Sequence, residues 1–417
     1  MAALTLRRKL EVLSDAAKYD ASCASSGGPK RDSLSGRGVG STTGGMGVCH
    51  AYTPDGRCVS LLKILLTNFC LFDCAYCINR VSSNVERARF SVDEVVRLTL
   101  DFYKRNYIEG LFLSSGVIRS ADYTQEQLTL VAKTLREVHD FRGYIHLKLI
   151  AGASPELAAE AGLYADRLSV NIELPQDASL ERLAPEKTPL NIRQSMGQVA
   201  YGIAGAKDRT IRKTRAPRYA PAGQSTQMIV GADSATDADV LQRSESLYGG
   251  FKLKRVYYSA FSPIPDSSSV LPSQRPHMMR EHRLYEADWL MRYYGFSRGE
   301  IVSAAVDGML DPVLDPKLAW ALQNRAFFPL DVNTADREAL LRVPGLGVKS
   351  VDKLLAVRRL KRLTFEDLAA VGGAIKRMKP FVVTPDWRPT AVLDGADLDE
   401  RMRALSPRAA PRQLELF

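Results

Sequence analysis

The alternation of two kinds of segment between residues 58 and 262 constrains the fold of this chain most. Short apolar segments rich in β-branched and aromatic residues are separated by longer segments with helical apolar spacing. The predicted strands are SLLKILLT (60–67), GLFLSS (110–115), YIHLKLI (144–150), RLSVNIEL (167–174), TQMIVG (226–231) and RVYYSAF (255–261). Strands that alternate with helices favour a parallel sheet with right-handed crossovers. Six such units predict an α/β fold, a partial (β/α)6 TIM-like barrel, with functional groups at the C-terminal strand ends.

Two of the intervening segments carry a helix-capping signature. Ser91 stands three residues before Glu94, and Thr124 stands three residues before Gln127. In a capping box the first side chain accepts a hydrogen bond from the backbone N–H of the second residue, whose side chain bonds back. We therefore predict helix N-termini at Ser91 and at Thr124.

Changes in composition along the chain predict five regions. Residues 1–57 combine a helical start with a Gly/Ser-rich segment that contains cysteines, and residues 58–262 form the α/β core. Residues 263–330 are predicted to be a helical extension, and residues 331–384 to be short helices separated by glycines. Residues 385–417, rich in Pro, Arg and Asp, are expected to form a flexible tail.

The charge of the chain favours an acidic partner. The formal net charge is +10 at pH 7, which indicates nucleic acid more than a neutral partner. There is no N-terminal apolar leader, and the most apolar stretch, VSLLKILLTNFCLF, is interrupted by Lys63 and Asn68. We expect a cytoplasmic, nucleoid-associated protein with no membrane partner.

Three of the six cysteines form a compact motif. Cys70, Cys74 and Cys77 are spaced C-x3-C-x2-C directly after the first predicted strand. Such clustering in a long, cytosolic chain points to a metal centre rather than to disulfides. Three thiolates on one loop can hold three irons of a [4Fe–4S] cube and leave the fourth iron open. The alternative is a structural zinc site that takes a fourth ligand such as His50 or another cysteine.

The other three cysteines allow a second metal centre. Cys23, Cys49 and Cys58 precede the motif and could ligate a second iron–sulfur cluster, or zinc together with His50. The alternative is that they are isolated buried cysteines, which are common and inert.

The stretch CLFDCAYC, with the aromatic Tyr76 just before its last cysteine, resembles the signature of the radical S-adenosylmethionine (SAM) superfamily. The resemblance implies that SAM chelates the open iron of a cluster held by the catalytic residues Cys70, Cys74 and Cys77. It further implies that one electron, from a reductant such as ferredoxin or flavodoxin, cleaves SAM and releases a 5′-deoxyadenosyl radical.

The same resemblance implies SAM contacts at the ends of three later strands, where the alternative is an ordinary strand end. The implied contacts are Ser114, Ser115 and Gly116 to methionine, Asn171 and Glu173 to the ribose, and Val230 and Gly231 to adenine. The first set departs from the commoner Gly-Gly-Glu, and the glutamate often seen after the third set is missing.

On the third predicted strand, two polar residues alternate with aliphatic ones. His146 and Lys148 would face the barrel interior if the aliphatic side chains meet helices. They are candidate contacts to a substrate or a carboxylate, although the lysine head could instead reach the rim.

Residues 331–359 (DVNTADREALLRVPGLGVKSVDKLLAVRR) closely resemble the helix-hairpin-helix of DNA repair and recombination proteins. In such a module the glycine-bearing turn brings backbone N–H groups to a phosphate oxygen, and nearby lysines add charge. The residues implied in DNA binding are Gly345, Leu346, Gly347, Lys349 and Lys353. The following LTFEDLAAVGGAIKRMKPFV looks like a second, degenerate hairpin. The alternative is a helical hairpin used for protein packing.

The C-terminal QLELF resembles the short peptide by which bacterial polymerases and repair proteins bind the sliding clamp. The implied contacts are Gln413, Leu414, Leu416 and Phe417, with the Pro/Arg-rich segment before them as a linker. The alternative is a tail that folds back onto its own domain.

Taken over nearly its whole length, the chain resembles the bacterial radical SAM proteins linked with DNA modification or repair, a family without a settled reaction. The resemblance implies an enzyme whose 5′-deoxyadenosyl radical abstracts hydrogen from a base, a sugar or a lesion in DNA. Two rival functions stay open, namely RNA modification by the same chemistry and a DNA-bound scaffold with a structural or redox-sensing cluster.

Overall fold

The computed structural model describes residues 4–17, 48–52, 58–208, 218–264, 268–389 and 392–405. These residues form two compact units, one of residues up to 234 with 246–275, and one of 235–245 with residues from 276 onward. No helix in the described ranges is both long enough and apolar enough to cross a membrane.

The first unit is built on a seven-stranded sheet whose strands lie side by side in the order of the sequence. The strands are β1 (Val48–Tyr52), β2 (Cys58–Leu65), β3 (Gly110–Ser114), β4 (Tyr144–Lys148), β5 (Arg167–Ser169), β6 (Gln224–Val230) and β7 (Arg255–Ala260). Strands β2 to β7 are parallel neighbours, whereas β1 pairs antiparallel with β2. This confirms the predicted α/β fold with six parallel strands of a partial barrel, and adds β1, which was not predicted.

Strand β5 is shorter than predicted. It ends at Ser169, and Glu173 has a backbone φ of +67°, which no residue of a regular strand adopts. The hydroxyl of Thr226 donates to the carbonyl of Val170 and accepts from the N–H of Ile172, so a side chain replaces the ladder there. The predicted strand 167–174 is therefore a short strand followed by an irregular segment.

Helices connect the strands as expected. They are α1 (Leu6–Ala17), α2 (Val92–Lys104), α3 (Ala121–Glu137), α4 (Pro155–Tyr164), α5 (Asp177–Leu183), α6 (Pro189–Lys207) and α7 (Asp237–Phe251). The capping box of Ser91 and Glu94 at the start of α2 is confirmed. The N-terminus predicted at Thr124 is wrong, because the hydroxyl of Ser120 caps α3 four residues earlier.

The two faces of the sheet differ in polarity, because successive side chains of a strand point to opposite sides. One face carries buried aliphatic side chains that pair in register, such as Leu62, Leu111 and Ile145. The opposite face, which we call the polar face, carries Lys63, His146, Lys148, Arg167, Ser169, Ser225, Gln227, Arg255 and Tyr257. Near the N-terminal strand ends lies a buried apolar cluster of Cys49, Val59, Leu61, Phe112, Tyr144 and Ala222.

The second unit is mainly helical. After the first part of α7 it contains α8 (Met278–Tyr293), α9 (Arg298–Ser303), α10 (Pro316–Gln323), α11 (Arg337–Arg342), α12 (Val348–Val357), α13 (Phe365–Ala370), α14 (Ile375–Met378) and α15 (Leu398–Leu405). The short strands β8 (Leu330–Asp331) and β9 (Val382–Val383) pair in parallel. Because of this pairing, the first and last residues of the predicted hairpin module lie side by side. Phe328 and Phe381 pack edge to face beneath them, with ring centroids 5.0 Å apart.

Candidate active site

The loop after β2 carries the three motif cysteines at the C-terminal edge of the parallel strands. The backbone N–H of Cys77 donates to the carbonyl of Cys74 at 2.9 Å, which closes a tight turn. Backbone N–H groups also approach the sulfur atoms, since Val117 lies 3.4 Å from Cys70 Sγ and Asn79 lies 3.4 Å from Cys77 Sγ. Donors directed at sulfur favour the thiolate, which is the form that binds a metal.

A single guanidinium holds the two ends of this cysteine loop together. Arg87 donates to the carbonyl oxygens of Asn68 at 2.5 Å and Asn79 at 2.9 Å. It also donates to those of Arg80 at 2.6 Å and Ser83 at 2.8 Å. Because the guanidinium is planar with fixed donor directions, these four bonds define the course of the loop.

Gly116 is required where the segment after β3 approaches the cysteine loop. A Cβ at this position would lie 2.2 Å from the carbonyl oxygen of Phe69 and 3.3 Å from the Cβ of Cys70. Its N–H donates to the carbonyl of Thr67 at 2.8 Å, and the hydroxyl of Ser115 donates to the carbonyl of Gly116 at 2.7 Å. The structure thus brings the predicted methionine-binding segment directly against Cys70.

Burial changes the acidity of two motif thiols. Desolvation raises the pKa of Cys74 to about 12 and that of Cys77 to about 11. A thiol that coordinates iron is deprotonated, so loading of a cluster would release protons from both residues.

A partly buried ion pair stands next to the cysteine loop. The Nζ of Lys187 lies 2.5 Å from Oε1 of Glu173 and 6.0 Å from the ring centroid of Tyr76. Burial favours neutral Lys187, but the charge of Glu173, with Tyr76 and Cys74 nearby, raises its pKa well above the usual value. Sequence reasoning missed Lys187, which lies in a loop and has no motif around it. The predicted ribose contact, Glu173, thus has a lysine partner inside the protein.

Two buried polar atoms near this pair have no hydrogen-bond partner among the described residues. They are the hydroxyl oxygen of Tyr76 and Oδ1 of Asn171, both predicted to lie beside the cofactor. Buried polar atoms are nearly always satisfied, so these two fit a polar ligand at this point. Together with the three cysteines and the close approach at Gly116, they match the donors that a [4Fe–4S] cluster and SAM would need.

The remaining predicted SAM contacts lie at the same edge of the sheet. Ser114 is the last residue of β3, Val230 is the last residue of β6, and Asn171 follows the end of β5 by two residues. Gly231 adopts a φ of +80°, which turns the chain away after β6. Parallel strands end together, so the structure brings all these residues to the edge that carries the cysteines. Their contacts to a cofactor stay a prediction.

The described part of the chain contains no group of side chains that could bind a single metal ion. There, no three His, Cys, Asp or Glu side chains are grouped so that they could hold one metal ion. A zinc site needs such convergence, whereas a four-iron cube binds each thiolate to a different iron.

The structure does not bring the second set of cysteines together. Cys49 pairs with Leu61 and Cys58 pairs with Tyr52, so their side chains leave the β1–β2 pair on opposite faces. Cys49 belongs to the buried apolar cluster, and Cys58 is exposed. Cys23 lies outside the described residues. A centre held jointly by Cys49 and Cys58 is therefore inconsistent with the strand pairing.

His146 and Lys148 lie on the polar face, as their alternation predicted. The Nε2 of His146 lies 3.0 Å from Oγ of Ser169, and the Nζ of Lys148 donates to Oε1 of Gln227 at 3.4 Å. Burial, and then the charges of Arg167, Lys148 and Lys63, lower the pKa of His146 well below its usual value. His146 is therefore a neutral imidazole surrounded by cations.

The second unit contains two pairs of short helices, α11 with α12 and α13 with α14, in the region where the two hairpins were predicted. Helices α11 and α12 are joined by a turn in which Gly345 has a φ of +85°. A Cβ on Gly345 would lie 2.8 Å from the carbonyl oxygen of Ala374, which belongs to the turn between α13 and α14. The N–H of Ala374 donates to the carbonyl of Gly345 at 3.0 Å, so the two turns are bonded to each other.

The predicted DNA contacts differ in what they can offer a phosphate. Gly347 is the N-cap of α12 without a side-chain cap, and Lys349 and Lys353 are exposed on that helix. Leu346 is only 2% exposed, so its contact would have to be made by the backbone. Sequence reasoning missed Lys317, whose Nζ donates to the carbonyl of Leu346 at 2.6 Å from beneath the turn. The clamp-like residues 413–417 lie outside the described residues.

Comparison with known proteins gives only distant structural likenesses. No protein-family model and no curated protein matches the chain. It resembles HydG, the [FeFe]-hydrogenase maturase from Carboxydothermus hydrogenoformans, with 15% identity and a TM-score of 0.43, over 54% of this chain and 50% of that chain. It also resembles Streptococcus suis SuiB bound to SAM, with 9% identity and a TM-score of 0.37, over 58% and 50% of the two chains. A third is TsrM, a radical SAM methyltransferase from Kitasatospora setae, with 11% identity and a TM-score of 0.34, over 49% and 36%. The chain thus spans about half the length, or less, of these proteins, and likenesses this distant carry no conclusion about activity or substrate.

Proposed function

We propose that this chain is a radical SAM enzyme that acts on DNA. The observation that carries the proposal is the loop of Cys70, Cys74 and Cys77, which follows β2 at the C-terminal edge of six parallel strands. Arg87 and Gly116 hold this loop in shape through contacts within the protein. When bound, a reduced [4Fe–4S] cluster and SAM would supply a 5′-deoxyadenosyl radical for hydrogen abstraction.

The chain's own residues would hold and orient these groups. The three thiolates would bind three irons, while Tyr76 and Asn171 would offer their unpartnered oxygens to SAM. The remaining proposed contacts are Ser114, Ser115, Gly116, Glu173, Val230 and Gly231. The ion pair with Lys187 would hold the carboxylate of Glu173 in one orientation.

The paired hairpins support DNA as the proposed partner. The N-terminus of α12 has no side-chain cap, and Lys349 and Lys353 are exposed on the same helix. Such a helix end is suited to bind a phosphate oxygen of the DNA backbone, whatever the base sequence. Backbone contact of this kind positions a protein without reading bases. A target base within a duplex would have to be flipped or unpaired to enter a barrel.

The cluster is tested with one cysteine inside the motif and one outside it. We expect that Cys74→Ala, reconstituted without oxygen, loses most bound iron and sulfide and forms no 5′-deoxyadenosine from SAM under reduction. The matched control is Cys58→Ala, since Cys58 is exposed on β2 and outside the motif. If Cys74→Ala retained the iron content and SAM cleavage of the control, the assignment of the cysteine loop would be wrong.

The DNA proposal is tested through its salt dependence. Replacing Lys349 and Lys353 together by Gln should weaken duplex binding and reduce the log–log salt slope by about 2. The charge-matched control is the double variant Lys104→Gln, Arg105→Gln, which removes two exposed charges at the end of α2. Fluorescence anisotropy with duplex DNA and with structured RNA gives both measurements. Equal slopes in variant and control, or tighter binding of the RNA, would contradict the proposal.

A further inference from the structure

The polar face concentrates positive charge in two adjacent rows. Lys63, Phe112, His146 and Arg167 pair in register across β2 to β5. Lys148, Ser169, Ser225 and Arg255 pair in register across β4 to β7. The two rows are two residues apart along a strand, or about 7 Å. They bring four cationic side chains, and no acidic strand residue, onto one face of the described sheet.

The two rows run obliquely across the strands. Lys148 and Ser169 are the last residues of β4 and β5, whereas Arg167 and Arg255 are the first residues of β5 and β7. The buried apolar cluster of Cys49, Val59, Leu61, Phe112, Tyr144 and Ala222 adjoins the first row, since Phe112 belongs to both. The second row therefore reaches the edge that carries the cysteine loop at Lys148 and Ser169.

Neutral polar atoms in the same rows point to a ligand independently of the charges. The Nδ1 of His146 and the hydroxyl of Ser225 are buried without a hydrogen-bond partner among the described residues. Both residues are at most 1% exposed, and a buried polar atom left unsatisfied is costly. A neutral imidazole and a hydroxyl can each donate a hydrogen bond to an anion.

We infer that the basic rows of the polar face bind a phosphate group of the substrate. This inference rests on the proposed function and gives it a substrate class, a phosphate ester such as a nucleotide. Arginine and lysine are the side chains that bind phosphate most strongly, and Ser225 and His146 lie between them in the rows. A phosphate bound beside Lys148 and Ser169 would lie at the edge of the sheet that carries the cysteine loop, with the sugar and base attached to it near that loop.

The test uses full-length, reconstituted protein and isothermal titration calorimetry with thymidine 5′-monophosphate, thymidine, inorganic phosphate and succinate. We expect the monophosphate to bind at least tenfold more tightly than thymidine, and phosphate to compete with it. Lys63→Gln and Arg255→Gln should each weaken the monophosphate about tenfold and leave thymidine unchanged, since each removes one charge-assisted bond. Both residues are only half-buried, so both variants are expected to fold. The control is Arg105→Gln, an exposed arginine after α2.

Each of the following results would overturn the inference. One is equal affinity for thymidine and its monophosphate, and another is succinate binding as tightly as phosphate, which would make this a carboxylate site. The third is loss of monophosphate binding in the Lys349→Gln, Lys353→Gln double variant, which would place the binding in the hairpins. If the protein cleaves SAM but binds no phosphate, this inference is wrong and the proposed function is unaffected. A protein that takes up no cluster sinks the proposed function, whatever the titration shows.

Discussion

The buried lysine beneath the hairpin turn should make the stability of the second unit depend on pH. Lys317 is 7% exposed, and its ammonium lies 4.8 Å from the ring centroid of Tyr294. Desolvation lowers its pKa to about 7, although the nearby Asp315 carboxylate acts in the opposite direction. The protein therefore keeps this amine partly neutral near physiological pH.

The sign of the effect follows from proton linkage. In the unfolded chain a lysine has a pKa of about 10.4. Between pH 7 and 10 the unfolded state thus binds more protons at Lys317 than the folded state, so the free energy of unfolding rises with pH. For a folded pKa near 7, the rise between pH 6 and pH 8.5 is ~2 kcal/mol. Below pH 6 this contribution is constant, because both states are protonated.

The perturbation is Lys317→Met, which keeps the length of the side chain and removes the titrating group. All three tryptophans, Trp289, Trp320 and Trp387, lie in the second unit, so their fluorescence follows the unfolding of that unit. Urea titrations at pH 6 and pH 8.5 should show a rise in stability in the wild type that is ~2 kcal/mol larger than in the variant. Loss of the bond to the Leu346 carbonyl lowers the free energy of unfolding of the variant by the same amount at both pH values. The difference between the two pH values is therefore unaffected by that loss.

The control for this experiment is Lys376→Met, because Lys376 is exposed on α14 in the same unit. We expect this variant to keep the pH dependence of the wild type. The reasoning is refuted if the wild type and Lys317→Met gain the same stability between the two pH values.

Three further predictions follow from the close approaches and the tail. Gly116→Ala should lower the iron content after reconstitution at least severalfold, as measured by iron analysis, whereas Gly205→Ala, with open space around it, should not. Gly345→Ala should weaken duplex binding in anisotropy and destabilise the second unit by more than ~1 kcal/mol, because an L side chain is strained at a φ of +85°. Gly299→Ala is its control, and equal effects of the two would contradict the role of the turn. Deleting residues 413–417 should abolish binding to an immobilised sliding clamp and leave SAM cleavage intact, and unchanged clamp affinity would disprove that motif.

The sheet could be read from the sequence because its strands are short apolar runs between amphipathic helices. Six predicted strands correspond to β2 to β7, with ends that differ by a few residues. Strand β1 was missed since VCHAY is brief and follows a Gly/Ser-rich segment. The early end of β5 depends on Glu173, whose left-handed backbone is set by its neighbours in space, and glutamate gives no local sign of it.

The partners of the site residues could not be predicted in the same way. The cysteine spacing indicates a cluster loop, but nothing in the spacing shows that Arg87 holds its carbonyl groups. Lys187 pairs with Glu173, and Lys317 bonds the carbonyl of Leu346. Both contacts join residues that are distant in the sequence, so they depend on the packing of the folded chain. Motifs report which side chains carry chemistry, whereas the residues that orient them are scattered.

The anchoring of the cysteine loop by Arg87 has a consequence for how the protein responds to oxygen. Iron–sulfur centres are lost on oxidation, and many metal sites collapse when their metal leaves. Here four carbonyl groups of the loop are tied by one guanidinium, independently of any iron. We expect the loop to keep its shape without the proposed cluster, so that a cluster lost on oxidation could be replaced without unfolding of the protein. Arg87 would then keep the loop in a shape that can bind a new cluster.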